Sequence, residues 1–227
     1  MSEFLYHTDP YRKEAETKVV ASFEDAGRYF IGLADCLFYP QGGGQKGDRG
    51  FLLQSGLKIP VIDTVKDQYS NNGRPLLVCE KEYMELVVDS PVSAVLDWDR
   101  RYKQMRLHGI VHLHHCMMEK ILGHRLPNPT TSDLQDDATA YNRYDTKEVT
   151  GDLVNKANGE LENVIAAGAE VTTTDDPEKS GFRRWHCLGY SIPCGGTHVK
   201  DVAEIGKLEV SFSERKGKPK VSFRLAS

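Results

Sequence analysis

The chain has 227 residues, of which 39% are hydrophobic and 27% charged, a composition typical of one large globular domain or two small ones. Its 29 Lys and Arg against 33 Asp and Glu give a net charge of −4, which excludes a uniformly basic nucleic-acid coat but not local basic patches. No apolar run approaches the roughly 20 residues that cross a bilayer, and the N-terminus lacks a secretion signal, so we expect a cytoplasmic protein. The five cysteines, odd in number and widely spaced, argue against a disulfide framework in that reducing compartment.

The first ~90 residues contain short β-rich runs that are separated by turn signals. These runs are 18–23, 28–33, 51–53, 59–65 and 75–79. Strands at this spacing are typical of a small barrel or a curled sheet. We therefore predict an N-terminal β-barrel domain over residues 1–90.

The pattern changes beyond residue 90. Helix-forming sequence runs from about Arg100 to Leu122, where Gly123 follows and the carboxylates of Asp97 and Asp99 can cap the start. Residues 147–166 fit a second, amphipathic helix. Strand-like stretches lie near 182–192, 205–213 and 219–225. We predict an α+β domain over 91–227 and an α+β fold for the whole chain.

Four of the eight histidines lie within the first predicted helix. His108 and His112 are four residues apart, so they share one helix face and can present two imidazoles to one metal ion. His115 is a reserve candidate, and the missing glutamate of H-E-x-x-H excludes the zinc-protease motif. The pair also fits histidines packed on a half-buried face. Gly109 favours a functional site over simple packing of the histidines. A glycine within a helix costs about 1 kcal/mol relative to alanine, and it leaves room for another group to approach the helix.

A second pair of potential ligands favours a metal site over packed histidines. Cys194 and His198 offer a thiolate and an imidazole four residues apart, on a turn that contains two glycines. Taken alone, the segment is also explained as an ordinary turn. Together with the helix pair it predicts a tetrahedral site of three imidazoles and one thiolate, for which zinc is preferred over copper or iron.

The segment 38–50, FYPQGGGQKGDRG, is the other unusual feature. Three consecutive glycines permit backbone conformations closed to other residues and close approach to a ligand. No Gly-Lys-Ser/Thr follows at P-loop spacing, which excludes that phosphate-binding motif. Taken alone, the segment is better explained as a tight connection between two strands, with Gln45 as an exposed amide.

The motifs together resemble the editing module of alanyl-tRNA synthetase, and in particular its medium-length free-standing form, the AlaX family. The matching segments occur in order across nearly the whole chain: FYP-x-GGGQ-x-x-D-x-G at 38–50, R-x-H-x-x-x-H at 106–112 and CGGTHV at 194–199. The resemblance implies a zinc-dependent hydrolase that removes serine or glycine from tRNA mischarged for alanine. The implied partner is the acceptor end of tRNA(Ala), and the implied cofactor is Zn²⁺.

The resemblance also implies roles for individual residues. The zinc ligands would be His108, His112, Cys194 and His198, and the substrate pocket would be lined by Gly42, Gly43, Gly44, Gln45 and Thr197. Cys36 and Gly109 stand where family members usually have threonine, and the first of these threonines is associated with recognising the serine hydroxyl. Because a thiol is a weaker hydrogen-bonding group, Cys36 leaves open which amino acid is removed.

Basic residues cluster near the proposed site and favour an RNA partner. These are Arg100, Arg101, Lys103, Arg106, Arg183, Arg184, Arg215, Lys216, Lys218 and Lys220. Two other functions fit the same ligands: a non-catalytic zinc-stabilised RNA-binding module, and a zinc hydrolase of a different small ester or amide.

Overall fold

The computed structural model describes residues 4–69, 73–80, 88–179 and 181–226. By its internal contacts the chain divides into two compact units. The first comprises Met1–Gly42 and Lys46–Tyr102, and the second comprises Gly43–Gln45 and Lys103–Ser227.

The first unit is a closed antiparallel barrel. After a short helix, α1 (Leu5–Thr8), its strands are β1 (Glu14–Asp25), β2 (Arg28–Leu33), β3 (Gly50–Gln54), β4 (Leu57–Lys66), β5 (Pro75–Cys79) and β6 (Pro91–Leu96). They follow the order β1-β2-β5-β4-β3-β6, and β6 closes the barrel because it pairs with both β1 and β3. In β1, buried Ala15, Thr17 and Val19 alternate with exposed residues, as the two-residue repeat of a half-buried strand requires.

A buried ion pair joins the end of this unit to the segment that follows the glycine run. Arg101 is fully buried, and its guanidinium binds the carboxylate of Asp48 and donates to the carbonyl oxygens of Pro10 and Leu37, each at 2.9 Å. Arg101 is one of the basic residues that the sequence suggested for contact with RNA. That expectation is wrong, because a side chain without exposed surface cannot contact a phosphate.

The second unit contains two sheets and two helices. The long helix α2 (Trp98–Leu122) begins in the first unit, and α3 is Gly151–Ala167. The strands are β7 (Thr131–Leu134), β8 (Thr139–Arg143), β9 (Thr172–Asp175), β10 (Arg183–Cys187), β11 (Tyr190–Pro193), β12 (Leu208–Arg215) and β13 (Lys218–Leu225). They form one sheet ordered β12-β13-β8-β7 and another ordered β11-β10-β9, and a 3-10 helix spans Val202–Ile205.

The helix ends follow local signals in the sequence. The carboxylate of Asp97 accepts from the Arg100 amide at 3.1 Å, and the Thr150 hydroxyl accepts from the Leu153 amide at 3.3 Å, so both helices begin at side-chain caps. Gly123 follows the last residue of α2 with φ of +74°, a conformation that glycine adopts without strain.

The predicted barrel and α+β class are confirmed. The strand expected at 205–213 begins at Leu208, because Ile205 ends the 3-10 helix. Strands β6 to β9 were not predicted. The division into domains 1–90 and 91–227 stays a prediction.

Among the described residues, the helices are too short or too polar to cross a membrane. The cytoplasmic location also stays a prediction.

Candidate metal centre

The helix α2 presents two imidazoles on one face. The rings of His108 and His112 are stacked with centroids 4.8 Å apart, as the four-residue spacing predicted. His108 is 1% exposed, and burial lowers its pKa to about 4; the pKa of His112 falls well below its usual value for the same reason. Both rings are therefore neutral at neutral pH, which is the state in which imidazole binds a metal.

The turn after β11 brings a sulfur and a third imidazole to these rings. Cys194 Sγ lies 3.4 Å from His108 Nε2 and 3.5 Å from His198 Nε2. A tetrahedral zinc ion with usual bond lengths separates sulfur and nitrogen ligands by roughly 3.6 Å. The ligand atoms of His108, His112, Cys194 and His198 all lie within 4.8 Å of one another. The structure thus brings together the four predicted ligands.

Two further observations fit a metal ion. His112 Nε2 is buried without a hydrogen-bond partner, a costly state for a polar atom that a metal bond would relieve. Burial also raises the pKa of the Cys194 thiol to about 11, so the metal-free cluster holds a thiol whose proton must leave on binding. Three imidazole nitrogens and one sulfur form a donor set that zinc accepts.

Trp185 forms one wall of the cluster and was not predicted as a site residue. It is fully buried on β10, with its ring centroid 5.3 Å from that of His112 and 6.3 Å from that of His198. A large apolar ring keeps water from the imidazoles and lowers the local dielectric constant. Its position in a short strand gives no sequence signal for this role.

The glycine run contributes Gly44, followed by Gln45, to the same unit. Gly44 has φ of +87°, its carbonyl accepts from the Leu134 amide at 3.0 Å, and an added Cβ would lie 2.4 Å from the Ser132 carbonyl oxygen. This position therefore admits glycine alone. Gln45 is fully buried, so it is not the exposed amide of a simple strand connection.

Gln45 contacts two residues of the cluster region. Its Oε1 lies 3.0 Å from His108 Nδ1 and accepts from the Thr197 amide at 2.9 Å. Its Nε2 donates to Thr197 Oγ1 at 2.8 Å. Two predicted pocket residues, Gln45 and Thr197, thus lie next to His108 and the turn of the candidate ligand cluster.

The other predicted pocket residues are placed differently. Gly43 belongs to the second unit with φ of +59° and open space around it, whereas Gly42 belongs to the first, beside the end of the Lys66 side chain. Cys36 lies in the barrel core, where its thiol donates to the Phe38 carbonyl at 3.4 Å and burial raises its pKa to about 12.

His115 and Gly109 have packing partners of their own. His115 is outside the cluster of described ligands: its Nδ1 lies 3.2 Å from the Tyr144 hydroxyl and its Nε2 lies 3.4 Å from a Glu119 carboxylate oxygen. A Cβ on Gly109 would sit 3.4 Å from the Ile205 side chain, in ordinary contact. What approaches Gly109 is therefore the 3-10 helix.

Comparison of the sequence with known proteins identifies relatives of this chain. No family model matches the chain. The alanyl-tRNA editing protein AlaX-M of Pyrococcus horikoshii is 33% identical over 219 residues, which cover 92% of this chain and 90% of the relative. The chain belongs to the AlaX family of alanyl-tRNA editing proteins.

More distant relatives extend this family relationship. The AlaX-L editing protein of the same organism is 28% identical over 96% of this chain, and the alanine–tRNA ligase of Metallosphaera sedula is 28% identical over 94%. The chain spans 56% of the first of these proteins and 25% of the second. The similarity to the ligase therefore covers one part of that enzyme.

Proposed function

We propose that this chain is a trans-editing deacylase that hydrolyses the ester bond of mischarged tRNA(Ala). The observation that carries the proposal is 33% identity to an alanyl-tRNA editing protein over nearly the full length of both chains. The geometry supports it, because the motifs that resemble the family meet in one buried to half-buried cluster: two histidines of α2, the cysteine turn and Gln45. An ester is cleaved by water, so the enzyme needs no oxidant or organic cofactor.

We propose that the metal is zinc and that all four clustered residues bind it. A zinc site with four protein ligands has no open coordination position, and bound zinc would order the site and keep the sulfur ionised. The three desolvated imidazoles stay neutral for binding, and Trp185 shields them from solvent. Gly43, Gly44 and Thr197 of the second unit remain our candidates for lining the aminoacyl pocket, and the role of Gly42 stays a prediction from the resemblance.

A deacylation panel tests the activity. The zinc-loaded protein is incubated with Ser-, Gly- and Ala-charged tRNA(Ala), and the remaining ester is counted over time. We expect loss of the seryl or glycyl ester while the alanyl ester is spared. Binding without hydrolysis of any of the three would favour the RNA-binding module. Hydrolysis of small esters with all three tRNAs untouched would favour a different zinc hydrolase.

We further propose that Cys36 affects the choice between serine and glycine. With a pKa of about 12 its sulfur is a neutral thiol, a poorer partner for a substrate hydroxyl than threonine would be. In the same panel, Cys36→Thr should raise the ratio of the seryl to the glycyl rate, because a site that hydrogen-bonds a hydroxyl rejects the analogue that lacks it. A Cys36→Thr enzyme with an unchanged ratio would remove this residue from recognition.

Affinity for tRNA should fall as salt rises, because phosphate binding releases counterions. Exposed candidates include Arg215 and Lys216 in the β12–β13 hairpin, whereas Arg183 and Arg184 are paired with Asp175 and Asp176. We expect replacement of Arg215 and Lys216 by serine to reduce the slope of log affinity against log salt by about 1 for each phosphate that is no longer bound. Filter binding at several salt concentrations measures the slope, and an affinity independent of salt would contradict phosphate binding.

A further inference from the structure

The side-chain amide of Gln45 has its orientation fixed by the backbone. The Thr197 main-chain N–H can only donate, so the amide atom 2.9 Å away must be the oxygen, Oε1. The nitrogen, Nε2, then faces Thr197 Oγ1 at 2.8 Å and donates to it. Because Gln45 is fully buried, no water competes for these positions.

This orientation fixes the tautomer of His108. Its Nδ1 lies 3.0 Å from Gln45 Oε1, which has only lone pairs to offer, so Nδ1 must carry the proton. The lone pair of the ring therefore lies on Nε2. That is the nitrogen 3.4 Å from Cys194 Sγ, inside the ligand cluster.

The same amide also holds the turn that carries the other ligands. Thr197 stands between Cys194 and His198 and takes part in two of the three hydrogen bonds of the Gln45 side chain. A Cβ on Gly196 would lie 2.2 Å from His108 Cε1 and 2.9 Å from Gln45 Oε1, so only glycine lets the turn approach both. One buried amide thereby sets the distance between the α2 ligand and the turn.

We infer that Gln45 is a positioning residue for the metal, which acts by holding His108 as its Nδ1–H tautomer and by fixing the turn around Thr197. Groups that orient a ligating histidine typically change metal affinity by 10–100-fold when they are removed. The inference rests on the proposed zinc site, and it differs from the pocket role that the family resemblance implies for Gln45.

Zinc affinity of the full chain, measured by competition with a chelator, tests the inference. Gln45→Met keeps the side-chain length without the acceptor, and we expect affinity to fall 10–100-fold. Gln45→Glu keeps an acceptor for both His108 and the Thr197 amide, and we expect affinity within about threefold of the parent. The control is Gln104→Met, since Gln104 is a buried glutamine of the same unit that donates to the Gln135 carbonyl. Its zinc affinity should be unchanged.

Two results would overturn the inference. The first is a zinc affinity of Gln45→Met equal to that of the parent protein. The second is a zinc affinity of Gln45→Glu more than tenfold below that of the parent. The second measurement tests the inference even if Gln45→Met does not fold. Excess zinc separates the two roles of Gln45. If the residue positions the metal, deacylation by the variant recovers when the zinc concentration exceeds the weakened dissociation constant. If the residue binds substrate, deacylation does not recover. If the parent binds zinc but hydrolyses no tRNA ester, the deacylase proposal fails while the affinity series still decides the role of Gln45.

Discussion

Replacement of Cys194 by alanine is expected to weaken zinc binding by about 100-fold or more and to abolish deacylation at limiting zinc. The sulfur of Cys194 lies 3.4–3.5 Å from Nε2 of both His108 and His198, so it faces two of the three imidazoles. A structural zinc site contributes roughly 10–16 kcal/mol, so a quarter of that is about 3 kcal/mol, or two orders of magnitude in affinity. Elemental analysis after dialysis against a competing chelator measures the loss.

A matched cysteine controls for the effect of reduced packing. Cys116 is a fully buried cysteine on α2, in the same unit but outside the cluster of described ligands. Cys116→Ala should lose some stability through the small cavity and keep its zinc. Full zinc occupancy of Cys194→Ala under the same chelator would remove Cys194 from the ligand set.

The clustering of His108 with His112, and of Cys194 with His198, was predictable because the spacing within each pair is local. Residues four apart on a helix meet whatever the rest of the fold does, and a four-residue turn brings Cys194 close to His198 in the same way. What the sequence left open was whether the two pairs meet each other. They do so because β10 and β11 carry the turn to α2, a pairing between segments 86 residues apart at Cys194 and His108.

Local sequence patterns could not predict the polar contacts between residues that are far apart in the chain. Gln45 is 63 residues from His108 and 152 from Thr197, so nothing in the loop sequence distinguished a buried amide from an exposed one. The strands β7 and β8 were missed for a related reason: both are short and rich in polar residues, and they are ordered by pairing with each other and with β13.

Arg101 and Lys103 show how a helix divides basic residues that are close in sequence. Positions two apart differ by about 200° around the axis, so Arg101 is buried while Lys103 is exposed. Arg101 points inward because its guanidinium pairs with Asp48, which lies 53 residues earlier in the chain. A count of basic residues cannot reveal that partner, and it therefore overstated the surface available for RNA.

This buried ion pair leads to the second large effect, on stability. We expect Arg101→Met to lower the free energy of unfolding by about 3–5 kcal/mol, because removing one partner leaves the other charge buried without compensation. Asp48 would keep the Tyr39 amide as a donor at 2.6 Å, while the carbonyls of Pro10 and Leu37 would each lose a hydrogen bond from Arg101. Urea unfolding followed by circular dichroism measures the change.

The exposed pair between Lys120 and Glu160 provides the comparison. Its two side chains are 55% and 40% exposed, so water and salt screen the charges, and Lys120→Met should lower the free energy of unfolding far less than Arg101→Met does. A similarly small loss in Arg101→Met would mean that the buried pair contributes as little as a surface pair. A loss of several kcal/mol confined to Arg101→Met would instead show that the segment after the glycine run is anchored at Asp48, because only there does the substitution leave a buried carboxylate without its cation.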